Sequence, residues 1–126
     1  MNKINILIND QKFTAALNNT ETAQEIYKLL PLESNGNFWG FEIYFEIPVA
    51  RPNENPTEEL EVGDLAYWPD GNCFCLFYGP TPASFDDRPK PASPVTVIGK
   101  INGDLETLKK LQRAKVKITK DENKQG

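Results

Sequence analysis

A chain of 126 residues, 39% hydrophobic and 25% charged, is long enough to bury one core and too short to expect two. Its 14 basic and 18 acidic side chains leave a formal charge of −4, which opposes nonspecific binding to nucleic acid or an anionic membrane. The absence of histidine excludes every mechanism that needs imidazole as base, nucleophile partner or metal ligand.

Residues 3–8 are nearly all apolar and precede Asn9-Asp10, a pair suited to a tight turn; Phe13, Ala15 and Leu17 then alternate with polar residues, which predicts a β-hairpin. Between Asn19 or Thr20 as cap and Pro31 as stop, Ala23, Ile26, Tyr27 and Leu30 have the spacing of an amphipathic helix. From Trp39 the period is two: Trp39, Phe41, Ile43, Phe45 and Ile47 share the face expected in a core, and Glu42, Tyr44 and Glu46 share the other. Pro48 and Pro52 end regular pairing, and residues 50–63 are polar and acidic, a surface loop. Strands are expected over 64–68 and 73–78, joined by the turn Pro69-Asp70-Gly71-Asn72. Residues 79–94 hold five prolines, which predicts a semi-rigid flap pinned by an inward Phe85. A strand follows over 95–101 with a bulge at Gly99. Asp104 then caps a short helix that buries Leu105, Leu108 and Leu111, and in the last strand Val116 and Ile118 point inward. Seven strand signals and two helices predict a mixed, mostly antiparallel sheet that closes into a barrel: a single domain over residues 1–120 with a polar tail over 121–126. No apolar run reaches the roughly 18 residues of a membrane span and the opening residues do not read as a signal peptide, so the expected address is cytoplasmic, and a monomer is the default state.

Cys73 and Cys75 lie in NCFCLFYG, where an extended backbone points both to one face with Cα atoms about 6–7 Å apart, a poor geometry for an unstrained disulfide. Zinc would need further ligands that neither a third cysteine nor a histidine supplies. Buried free thiols are expected, with redox or metal chemistry as the alternative. Glu42 and Glu46 share a strand face about 13 Å apart with Tyr44 between them, wide for a hydrolytic pair. They read as a solvated face, with a binding surface or acid-base catalysis as alternatives. Alternation sets Tyr67 against Trp68, and Phe74 with Tyr78 against Phe77; the outward half either binds a peptide or apolar small molecule or packs under the loops. Asp64 after Gly63 reads as a turn residue.

Four blocks in order carry a resemblance. Trp39-Gly40-Phe41-Glu42-Ile43-Tyr44-Phe45, Gly63-Asp64-Leu65-Ala66-Tyr67-Trp68-Pro69, Phe77-Tyr78-Gly79-Pro80-Thr81-Pro82 and Ser93-Pro94-Val95-Thr96-Val97-Ile98-Gly99 resemble the small prokaryotic cyclophilin-like proteins of unassigned function, over nearly the whole chain. PDGNCFCLFYGPTP and VTVIGKINGDLETLKKLQ are similar to segments of cyclophilins themselves. The resemblance implies a mostly β fold, a closed eight-stranded cyclophilin-like barrel capped by two short helices, with any ligand groove on its outer face. Splitting the long segment at Phe45 would supply the eighth strand.

Cyclophilins speed rotation about the X-Pro bond, whose barrier is about 18–20 kcal/mol, by holding proline in an apolar pocket while an arginine hydrogen-bonds the twisting amide. Here the matching position is Glu42, a carboxylate with the opposite charge and no proton to donate when ionised, and the groove histidine is missing. The expectation is a cyclophilin-like binding domain without the usual catalytic arginine and without a cofactor. It would take a peptide or small molecule in a groove over Glu42, Tyr44, Trp68 and Phe74. The alternative is an active peptidyl-prolyl cis-trans isomerase with Arg51 or Arg88 as surrogate donor; Arg113, the third arginine, follows the last helix. A purely structural interaction module is a third reading.

Overall fold

Asn9 and Asp10 both have positive φ, 49° and 72°, the left-handed backbone that a two-residue hairpin turn requires. They join β1 (Asn2–Ile8) to β2 (Gln11–Leu17), setting Ile4 and Ile6 opposite Ala15 and Phe13 on an apolar face. Thr20 caps α1 (Glu21–Leu29), its hydroxyl accepting from the Ala23 N–H at 3.1 Å, and Ala23 and Ile26 are buried in the barrel core. There follow β3 (Leu32–Phe38), β4 (Glu42–Glu46), β5 (Asp64–Trp68), β6 (Cys73–Phe77), β7 (Thr96–Asn102), a 3-10 helix (Leu105–Lys110) capped by Asp104, and β8 (Ala114–Lys120). In this computed structural model, which describes residues 2–121, the strands close into an antiparallel barrel in the order β1-β2-β7-β5-β6-β4-β3-β8. Closure removes the sheet edges that would otherwise present unpaired backbone groups. Of the polar tail expected over 121–126, Asp121 alone falls within the described residues. Among those residues no helix is long and apolar enough to cross a membrane.

The eighth strand does not come from dividing the segment at Phe45. It is β3, LESNGNF, a stretch with no β-branched residue and the Ser, Asn and Gly content of a loop. Tertiary context overrides that composition: β3 pairs with β8 from Leu32↔Ile118 to Gly36↔Ala114. Gly36 is required there, because a Cβ would meet the Ile43 side chain at 2.6 Å. The bulge expected at Gly99 is present, since β5 pairs Leu65 with Gly99 but Ala66 with Val97. Ile98 and Ile101, three residues apart, therefore both reach the barrel core.

Two apolar clusters result. The barrel interior holds residues such as Phe45, Tyr67, Phe74 and Ile118, and a smaller cluster, including Leu60, Ala66, Cys73, Cys75, Phe77 and Val95, lies on the opposite face of β5 and β6. The long loops cover this second cluster. The Tyr67 hydroxyl donates to the Val49 carbonyl at 2.5 Å, and Thr57 and Val95 exchange backbone hydrogen bonds of 3.0 Å each.

Glu54 ties the same loop to α1. Its carboxylate accepts from the Glu21 N–H at 3.0 Å, the Thr22 N–H at 2.7 Å and the Thr22 hydroxyl at 2.5 Å, and its own N–H donates to Thr96 Oγ1 at 2.8 Å. These bonds satisfy donors that the first turn of a helix leaves free. They also hold the Glu54 carboxyl below the usual glutamate value. Glu54→Ala is expected to lower stability at pH 7 by about 1–2 kcal/mol, read as the urea midpoint. Because the folded value is depressed, the contribution is present above the unfolded value of 4.5 and lost as pH falls through the folded one. A difference between wild type and variant that persists undiminished well below pH 4 would contradict this role.

Candidate functional site

The β4–β6 register sets Glu42 opposite Phe77 and Tyr44 opposite Cys75, so these side chains share the barrel's outer face. Trp39 joins them through the turn before β4. Its N–H donates to the Glu42 carbonyl at 3.0 Å and the Glu42 N–H donates to its carbonyl at 3.2 Å, while Gly40 takes the φ of +58° that the turn needs. Trp39 therefore does not continue the inward series of Ile43 and Phe45, because the turn breaks the two-residue period before β4 starts. From β5 comes Trp68, whose indole N–H donates to Ser93 Oγ at 2.6 Å; Ser93 donates in turn to Asp70 at 2.7 Å. Pro91 and Ala92 of the proline-rich loop and Val95 complete a cavity of about 190 Å³.

Glu42 is the one charged side chain lining this cavity, and it is 7% exposed. Burial pushes its carboxyl from the ordinary 4.5 up to about 7, partly offset by the neighbouring Cys75 thiol. Cys75 is itself pushed well above its usual range by burial and by the Glu42 charge, so it remains a neutral thiol. Cys73 is also raised, by burial first. Both cysteines are buried and unpaired, and among the described residues no group of three or more Cys, Asp or Glu converges as a metal site. A carboxyl that titrates near neutrality in an apolar cavity can donate a hydrogen bond in one form and hold a cation in the other.

Of the four residues expected to line the groove, Glu42, Tyr44 and Trp68 come together and Phe74 does not. Phe74 is 1% exposed in the barrel interior, stacked on Phe45 with ring centroids 5.4 Å apart. Strand parity demands this: Phe77 faces outward with Cys73 and Cys75, so Phe74 faces inward. The lining residues outside the expected four are Trp39, Phe77, Val95 and the loop residues Pro91 and Ala92; alternation within β6 already sets Phe77 against Phe74. Glu46 is exposed and lines no part of the cavity.

Neither surrogate arginine reaches the site. Arg51 is held against α1, pairing with Glu21 at 3.1 Å, Glu25 at 3.8 Å and Glu54 at 3.9 Å and donating to Thr22 Oγ1 at 3.2 Å. Arg88 pairs with Asp86 at 3.1 Å on the exposed part of the loop. The flap is not pinned by Phe85, which is 93% exposed. Thr81 ties it instead, its hydroxyl donating to the Lys90 carbonyl at 2.5 Å while its N–H donates to Ser84 Oγ at 2.9 Å. Asp64 accepts from the Glu61 N–H at 2.8 Å, as a turn residue does.

The family model described as Cyclophilin-like matches residues 2–119. The chain belongs to the cyclophilin-like family. Among solved structures, this cyclophilin-like domain is similar to the solution structure of the hypothetical protein AF2241 from Archaeoglobus fulgidus, at 37% identity and a TM-score of 0.76, over 94% of this chain and 93% of that one. No curated protein matches it.

Because the folded carboxyl of Glu42 lies above the unfolded value, its contribution to stability is fully present below about pH 4.5 and lost as pH rises through about 7. The loss amounts to about 3 kcal/mol across that window. Glu42→Gln is expected to remove this part of the pH dependence, flattening the difference in urea stability between pH 4.5 and 8. An identical slope in the variant would show that Glu42 is not buried as described.

Proposed function

We propose that this cyclophilin-like domain binds a small ligand, or one side chain of a peptide, in the outer-face cavity around Glu42, and that it does so without the arginine chemistry of prolyl isomerases. The observation that carries the reading is a buried carboxyl aimed into an aromatic cavity, at the position where the family resemblance would place a catalytic arginine. A volume of about 190 Å³ is below the usual range for drug-sized ligands, so the occupant is a small molecule or a single side chain. Trp68 has its N–H already used by Ser93 and offers apolar surface to that occupant. The ion pairs of Arg51 and Arg88 argue against the isomerase reading, because each guanidinium would have to leave its carboxylates to reach a twisting amide. Two buried free thiols suit a reducing compartment, in keeping with a cytoplasmic monomer.

Screening a fragment library by NMR tests this. Binders are expected to shift the Trp39 and Trp68 indole N–H signals first, and Trp68→Ala or Tyr44→Ala is expected to weaken them at least tenfold. In a standard X-Pro peptide assay the rate is expected to match the uncatalysed one. Catalysis well above that rate, or binders that leave both indoles unshifted, would overturn the proposal.

A further inference from the structure

Four acids of the loop region each have a cationic partner. Glu54 has Arg51 and the first turn of α1, Glu58 has Lys90 at 2.6 Å, Glu61 has Lys100 at 3.2 Å, and Asp86 has Arg88. Glu42 is more buried than any of these, and among the described residues no cation pairs with it. An ionised carboxylate held away from water is costly unless a positive charge compensates it. Around it stand Trp39, Tyr44, Trp68 and Phe77, and no Lys or Arg lines the cavity. Aromatic rings attract a cation to their faces, most strongly when water is excluded, and a carboxylate among such rings adds the countercharge. An anionic ligand would meet the opposite: like charge from Glu42 and no basic group to hold it.

Trp68 strengthens the case as a fixed wall. The Trp68–Ser93–Asp70 chain of hydrogen bonds, 2.6 and 2.7 Å long, orients the indole and satisfies its N–H before any ligand arrives. The ring therefore enters the cavity without needing a polar partner there, which suits an alkylated cation that brings few hydrogen-bond donors.

We infer that the ligand of the outer-face cavity is a small organic ammonium ion, its charge against Glu42 and its alkyl groups against Trp39, Tyr44, Trp68 and Phe77. The inference rests on the reading of this cavity as a ligand site and adds the ligand's charge class.

Calorimetric titration at pH 8 with choline, butylammonium and the uncharged choline isostere 3,3-dimethylbutanol tests it, and a peptide with one trimethylated lysine separates a free amine from a side chain presented by a protein. At least one of the two free ammonium probes is expected to bind at least tenfold more tightly than the neutral isostere. Glu42→Gln, which keeps the shape of the side chain, is expected to abolish that preference while leaving the isostere's weak binding unchanged. The peptide is expected to bind more weakly than free choline because a cavity of about 190 Å³ leaves little room beyond the ammonium head. Equal binding of choline and its isostere in wild type would overturn the ammonium assignment and leave the cavity as a ligand site. Peptide binding tighter than choline would overturn the free small molecule in favour of a protein side chain. No binding of any probe would overturn the ammonium assignment, and the fragment screen then decides separately whether the cavity binds ligands at all. The wild-type comparison needs no variant to fold, so the result stands even if Glu42→Gln proves unstable.

Discussion

The register of β4 against β6 decides what each face of the barrel wall can be. Ile43 lies opposite Leu76 and Phe45 opposite Phe74 on the inside, so Glu42 must lie opposite Phe77 and Tyr44 opposite Cys75 on the outside. A slip of one residue would exchange the two sets completely. Magnitudes show why the inner set prevails. Burying four large apolar side chains stabilises the fold by about 1.5–3 kcal/mol each, with the Phe45–Phe74 stack contributing further. Holding Glu42 out of water costs about 3 kcal/mol, the equivalent of moving its carboxyl from 4.5 to about 7. The barrel interior therefore fixes the position of an expensive acid that no local preference would bury.

The outer face is not simply a solvated sheet surface, because two loops lie over it. Tyr67 reaches out from the interior to hold the chain at Val49, Glu54 anchors the same loop to α1, and the Thr57–Val95 bridge joins it to the start of β7. On the other side Ser93 links the proline-rich loop to Trp68 and Asp70. Prolines lower the entropy cost of ordering that loop, so a few polar ties hold it and the exposed Phe85 ring is not needed. The cavity is thus built from a rigid strand face and a tethered cover, a combination that keeps the lining side chains in place before a ligand binds.

Much of this was legible in the residues themselves. Two-residue periodicity located most strands and put Glu42 and Tyr44 on one face, and the Asn9-Asp10 and Gly99 signals marked a turn and a bulge that are both present. What alternation could not show was β3, whose Ser, Asn and Gly residues form a strand only because β8 and β4 pair with it. Trp39 leaves the inward series because a turn at Gly40 interrupts the period, a change invisible when apolar residues continue on both sides of it. Parity separates Phe74 from Phe77 correctly, but it is Phe77 that faces the outer side, and there it is as buried as Phe74 is in the interior. The burial of Glu42 is not legible in the local pattern, which marks an outward strand position; the cavity it lines is completed by Pro91, Ala92 and Val95, about 50 residues further along the chain.

A carbon-13 NMR titration that follows the side-chain carboxyl of Glu42 in the unliganded protein tests the arrangement most directly. A midpoint near 7 is expected. A midpoint near 4.5 would mean that water reaches the carboxylate freely, and would contradict both the closed outer face and the cavity built on it.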